Sequence, residues 1–140
     1  MATPPRAPGQ ANKVVVAYLD GRRVNGYVYD FSAIRDSFNL LPAEKTLQEH
    51  GIKVQMMELK AVFFVKDFVG NPQYNDQQIV DERIHGRKIE VTFRDGEKYM
   101  GKTEGYNPQK LGFFMMPGDP ASNNIRVFVI TKNAKEVKFI

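Results

Sequence analysis

Two histidines, His50 and His85, and no cysteine are what this chain offers to acid–base, nucleophilic or metal chemistry. Each histidine precedes a glycine, Gly51 or Gly86, in a stretch that reads as a loop, with no serine or paired carboxylates nearby. Two imidazoles without thiolates and without an HExxH spacing do not make a metal site. Asp20 and Asp95 stand directly before Gly21 and Gly96, where aspartate forms a turn and is not half of an acid–base pair. There is no glycine-rich phosphate loop. The sequence therefore predicts a protein that is not an enzyme and needs no cofactor and no metal. Cations are the remaining chemistry. Arg83 and Arg87 stand four apart, with Asn107 further on. Guanidinium groups so placed suit bidentate phosphate contact and stacking on a base. Arg83, Arg87 and Asn107 are thus a candidate nucleotide contact. Lys98, Tyr99, Lys102, Tyr106 and Lys110 interleave charge with aromatic rings, the pattern of a single-strand nucleic-acid contact.

The elements that must position these residues come from an internal repeat. Lys13–Val65 aligns without a gap on Lys88–Ile140 at an offset of 75, matching Asp20, Gly21, Gly26, Phe38, Pro42 and Val54 with Asp95, Gly96, Gly101, Phe113, Pro117 and Val129. Duplication at a fixed period points to two copies of one small unit. In each copy an alternating segment runs into Asp-Gly and out into a second one, which is a hairpin signal. Glycine within the second strand, Gly26 or Gly101, marks a bend or a close backbone approach. A proline, Pro42 or Pro117, stops the third strand. Ile52–Met57 and Ile125–Thr131 read as fourth strands, and Ala61–Val65 and Glu136–Ile140 as fifth.

These features predict an all-β protein of two tandem five-stranded barrels. Residues 1–12 form an arm, 13–65 the first barrel, 66–86 a connector and 87–140 the second barrel. The phrase from Val14 to Phe31 resembles the first motif of Sm-like barrels, a class that shares its small-barrel fold with SH3-like domains. Phe38-Asn39-Leu40 is similar to the Sm segment that reads an RNA base, so this resemblance implies RNA binding as an alternative function. The run from Gly112 through Asp119, Ser122, Asn123, Asn124 and Arg126 to Val129 resembles a bacterial domain-of-unknown-function family with no known enzymatic activity. Arg83, Arg87 and Asn107 resemble the two-part motif of PilZ receptors, although Gln109 stands where that motif has serine. This resemblance implies cyclic-di-GMP as a third and less favoured ligand.

The copies differ in one instructive place. On the first strand Val15, Ala17 and Leu19 correspond to Glu90, Thr92 and Arg94, and on the fifth Ala61, Phe63 and Val65 correspond to Glu136, Lys138 and Ile140. A strand apolar on both faces is covered on both. Val15, Ala17, Leu19, Phe63 and Val65 are therefore the expected interface, either between the repeats or with another protein or a second copy of the chain. The formal charge is +4, and residues 87–140 carry ten Lys and Arg against six Asp and Glu. That bias permits an acidic partner or nucleic acid. No run approaches the ~20 apolar residues of a membrane span. The expected function is a non-catalytic protein-interaction or regulatory adaptor module in the cytoplasm.

Overall fold

A computed structural model describes residues 11–44, 51–71 and 73–140. His50 and most of the predicted arm lie outside the described residues. Ten strands form one antiparallel sheet: β1 (Asn12–Tyr18), β2 (Arg23–Val28), β3 (Ser37–Pro42), β4 (Ile52–Gln55), β5 (Leu59–Val65), β6 (Arg87–Phe93), β7 (Lys98–Thr103), β8 (Gly112–Pro117), β9 (Asn124–Ile130) and β10 (Ala134–Phe139). Their order is β10-β6-β7-β8-β9-β5-β1-β2-β3-β4.

Local chemistry sets these elements. Gly21 and Gly96 adopt φ values of 96° and 92°, closing the β1–β2 and β6–β7 hairpins in the region that glycine tolerates best. Asp20 Oδ1 accepts from the Arg22 amide at 3.0 Å, and Asp95 Oδ1 from the Glu97 amide at 2.9 Å. Gly26 lies opposite Pro42 and Gly101 opposite Pro117 in the ladders. A single 3-10 turn, Met56–Glu58 or Thr131–Asn133, links the fourth strand of each half to its fifth. Strand β2 ends at Val28 and β7 at Thr103. Side chains replace the ladder past their ends: Asp30 accepts from the Asn39 amide, and Thr103 Oγ1 donates to the Phe114 carbonyl at 2.7 Å.

The two sets of five strands are joined in one sheet. Strand β5 pairs with β1 on one edge and with β9 on the other, from Ala61↔Val129 to Phe64↔Arg126, so the ladder runs unbroken between the halves. The cause is the composition of β5, whose seven residues are all buried. Alternate side chains of a strand face opposite sides, and here each side has its own core. Val62 and Phe64 join Val14, Leu40, Phe128 and Ile130, whereas Ala61, Phe63 and Val65 join Ile89, Val91, Phe93 and Val127. Each half thus completes its core with residues of the other. The connector carries no regular element over Asp76–Val80 and lies as a loop.

Candidate functional site: a groove between the halves

Strands β7 and β8 pair at Gly101↔Pro117 and Lys102↔Met116. Beyond that point they diverge, and Thr103 Oγ1 spans the opening as a donor to Phe114 O and an acceptor from the Gly105 amide at 3.2 Å. A groove of about 610 Å³ occupies the divergence. Its base is Gly112, Phe113, Phe114 and Phe128. Gly112 is required there, because a Cβ would stand 2.6 Å from the Phe128 ring and 2.4 Å from Val129 O. Ala33 and Ile34, from the β2–β3 loop of the first half, form one wall. Lys102, Glu104, Lys110, Met116, Arg126 and the connector's His85 complete the lining.

The base is an aromatic cluster. Phe114 sits 4.9 Å from Phe128 and 5.8 Å from Phe64, centroid to centroid, and Phe31 lies within 5.8 Å of all three. Arg126 stacks on this cluster, its guanidinium 4.3 Å from the Phe114 ring centre and 4.5 Å from that of Phe64. Such contacts hold the cation over apolar surface. Lys102 is 6% exposed, and its Nζ donates to the Glu82 carbonyl at 3.3 Å. Ile34, by contrast, is 88% exposed on the groove wall.

A second polar assembly fixes the connector. Asp119, buried in the β8–β9 loop, accepts from the Tyr74 hydroxyl, from the Gln77 amide at 2.9 Å and from the Ala121 amide at 2.9 Å. These bonds hold its carboxyl below the usual carboxylate range, the Gln77 amide first among them. Donation to Asp119 pushes the Tyr74 phenol up to about 12. Ser122 Oγ donates to Asp76 at 2.7 Å, and Asn123 Nδ2 to the Asp67 carbonyl at 2.7 Å.

The residues singled out from sequence fall in different places. Ala17, Phe63 and Val65 are buried in the second-half core, and Val15 is half-buried against it. Leu19 is not part of that contact. It is 40% exposed, beyond the last β1–β5 pair. Among the candidate nucleic-acid residues, Lys98 and Lys110 are exposed. Tyr99 is buried, accepts from Asn124 Nδ2 at 3.0 Å, and is pushed up to about 12 mainly by burial. Tyr106 packs edge-on against Phe113 and Phe139. Strand alternation puts Lys98 and Tyr99 on opposite faces of β7. The nucleotide residues do not converge either. Arg83 pairs with Asp81 at 2.6 Å and holds that carboxyl at about 2. Arg87 lies 3.8 Å over the Phe139 ring, and Asn107 caps its own turn by accepting from the Gln109 amide. Among the described residues, no cluster of three or more His, Asp or Glu is placed to hold a metal ion.

Sequence reading missed Ile34, Gly112, Phe114 and Arg126. One signal was present: Phe113, Phe114, Met115 and Met116 make β8 apolar on both faces, which requires cover on both.

Fold and groove define an all-β class of protein whose two sets of five strands share one sheet and enclose an aromatic, cation-lined cleft. The profile of a family of unknown function, DUF6982, matches residues 10–140, and the chain belongs to that family. No curated protein and no solved structure matched it. Among the described residues, no helix is long and apolar enough to cross a membrane.

Proposed function

We propose that this protein is a non-catalytic binding module, acting as a protein-interaction or regulatory adaptor, and that its contact surface is the groove between the halves. The observation carrying this reading is the combination of an aromatic base with an exposed Ile34 and with Lys110 and Arg126 on the lining. Concave apolar sites with a few placed polar groups are the usual form of a binding site. The interface expected on β1 and β5 is largely occupied within the molecule, which moves the contact surface to the cleft.

The same reading treats each half as a small barrel of Sm/SH3-like type. Support comes from the order β5-β1-β2-β3-β4 in one half and β10-β6-β7-β8-β9 in the other, each with a 3-10 turn before its fifth strand. Nucleic-acid binding draws less support, since Tyr99 and Tyr106 are packed and Lys102 is held by Glu82. The test is affinity capture from a lysate of the native cell, comparing the parent chain with an Ile34→Asp, Lys110→Glu variant that keeps its thermal midpoint. The module should retain a defined set of proteins that the variant loses. Identical captures from both chains would end the assignment of the groove.

A further inference from the structure

The two open surfaces of the groove are unlike each other, and together they select an occupant. Its apolar lip is aliphatic: Ile34 is 88% exposed and Met116 is 41% exposed. Its aromatic rings are already covered. Arg126 lies over Phe114, and Tyr106 packs edge-on to Phe113 at 5.0 Å. A nucleobase needs an open ring face on which to stack, and the base of this groove has none to give. An aliphatic side chain needs only apolar surface and a partner able to adapt its shape, which methionine supplies.

The charged part of the lining is one-sided. Lys110 and Arg126 line the cleft with one carboxylate, Glu104, while the buried Lys102 beside them is held by Glu82. Cations beside low-dielectric walls focus a positive field into the opening and favour an anionic occupant. The volume of about 610 Å³ fits the ~300–1,000 Å³ of compact ligand sites, not a folded domain.

We infer that the groove takes an extended acidic peptide segment, seating a leucine- or isoleucine-type side chain between Ile34 and Met116 with flanking carboxylates towards Lys110 and Arg126. This rests on the groove being the contact surface and adds the chemistry of what fills it. The recognition is a partnership of apolar anchor and flanking charge, so neither a neutral apolar peptide nor an acidic one without the anchor should suffice.

The experiment selects displayed random 12-residue peptides on the full chain and on the Ile34→Asp, Lys110→Glu variant, after circular dichroism has shown both to be folded. Enriched peptides should carry Asp or Glu on either side of Leu or Ile. Their affinity for the variant should fall by tenfold or more, and binding should weaken with added salt. Replacing their acidic residues with Asn or Gln should cost a similar factor. Neutral or basic peptides that bind the parent and not the variant would overturn the acidic preference while leaving the groove as the contact surface. Peptides that bind both chains equally, or no enrichment, would overturn both. Displacement of the selected peptides by decauridylate would assign the cations to nucleic acid instead and defeat the inference.

Discussion

Lys60 on β5 reaches the β6–β7 turn of the other half, where its Nζ lies 2.8 Å from Asp95 Oδ2 and 2.5 Å from Glu97 Oε1. The lysine is 8% exposed while both carboxylates face water. Its ammonium also sits 4.6 Å from the Phe93 ring centre. The turn that closes one half is therefore held by a strand of the other.

Lys60→Met keeps the stem and removes the charge. It should lower stability by ~1 kcal/mol, because the carboxylates it releases are already solvated. The Lys60 hydrogen bond holds the Asp95 carboxyl below its ordinary value. A carboxylate so lowered adds stability above its unfolded value of about 3.9 and loses it as pH falls through the folded value. Urea midpoints should thus separate parent and variant at pH 7 and draw together below about pH 4. A difference that persists unchanged at the acid end would contradict the pairing.

Gly101 sets a sharper constraint. A Cβ there would stand 1.9 Å from Met116 O, whereas at the corresponding Gly26 it would meet Leu41 O at 2.7 Å and the end of the Leu40 side chain at 2.7 Å. Backbone oxygen is met at both positions, and the approach at Gly101 is the closer, 1.9 Å against 2.7 Å. Gly101→Ala should cost ~3 kcal/mol and Gly26→Ala visibly less. Equal thermal shifts for the two variants would show that β7 and β8 part more easily than their register implies.

Both glycines were legible as points of close backbone approach, and the Asp-Gly turns and the core alternation of each half were legible too. What local pattern left open was partnership. The two-faced greasiness of β5 announced that something covers it, and a strand's sequence does not say whether the cover is a packed barrel or a hydrogen-bonded neighbour. Pairing of Phe63 with Val127 is a long-range choice. Asp119 illustrates the same limit at the sites. In sequence it is one more turn former before a proline, and only the return of Tyr74 and Gln77 from the connector gives its carboxylate three donors. The groove escaped notice for a related reason, since Ile34 and Phe114 come from different halves.

Asp119→Ala should release the connector without unfolding the sheet. Amide exchange should quicken at Gln77 and its neighbours while β5 and β9 remain protected. The Tyr74 phenol, raised to about 12 by donation to Asp119, should titrate near the ordinary value of about 10 in the variant. Absorbance at alkaline pH reads this directly. The parent carries a second tyrosine raised to about 12 by burial, Tyr99, which should not move. If both phenols shift together, the loss is global unfolding and the connector is not an independent strap.

The last prediction concerns the margin of the sheet. Strand β10 occupies in the second half the place that β5 occupies in the first, yet β5 pairs on both sides and β10 on one. Side chains account for the difference. Where β5 has Ala61 and Phe63, β10 has Glu136 and Lys138, both exposed, and Lys138 lies 3.5 Å from Glu90. Charge on an edge strand discourages a further strand from adding to it. At the far margin, β4 is four residues long and carries Lys53, which limits what it can recruit. Glu136→Ala with Lys138→Phe converts β10 towards the composition of β5 and removes that protection. The double variant should sediment as a larger soluble species at concentrations where the parent does not, through β10 of one copy meeting β4 of the next. Adding Lys53→Glu should not alter this growth if association is generic stickiness of the new phenylalanine, and should change it if β4 is the acceptor. A double variant that sediments like its parent would mean that charge is not what keeps this edge alone.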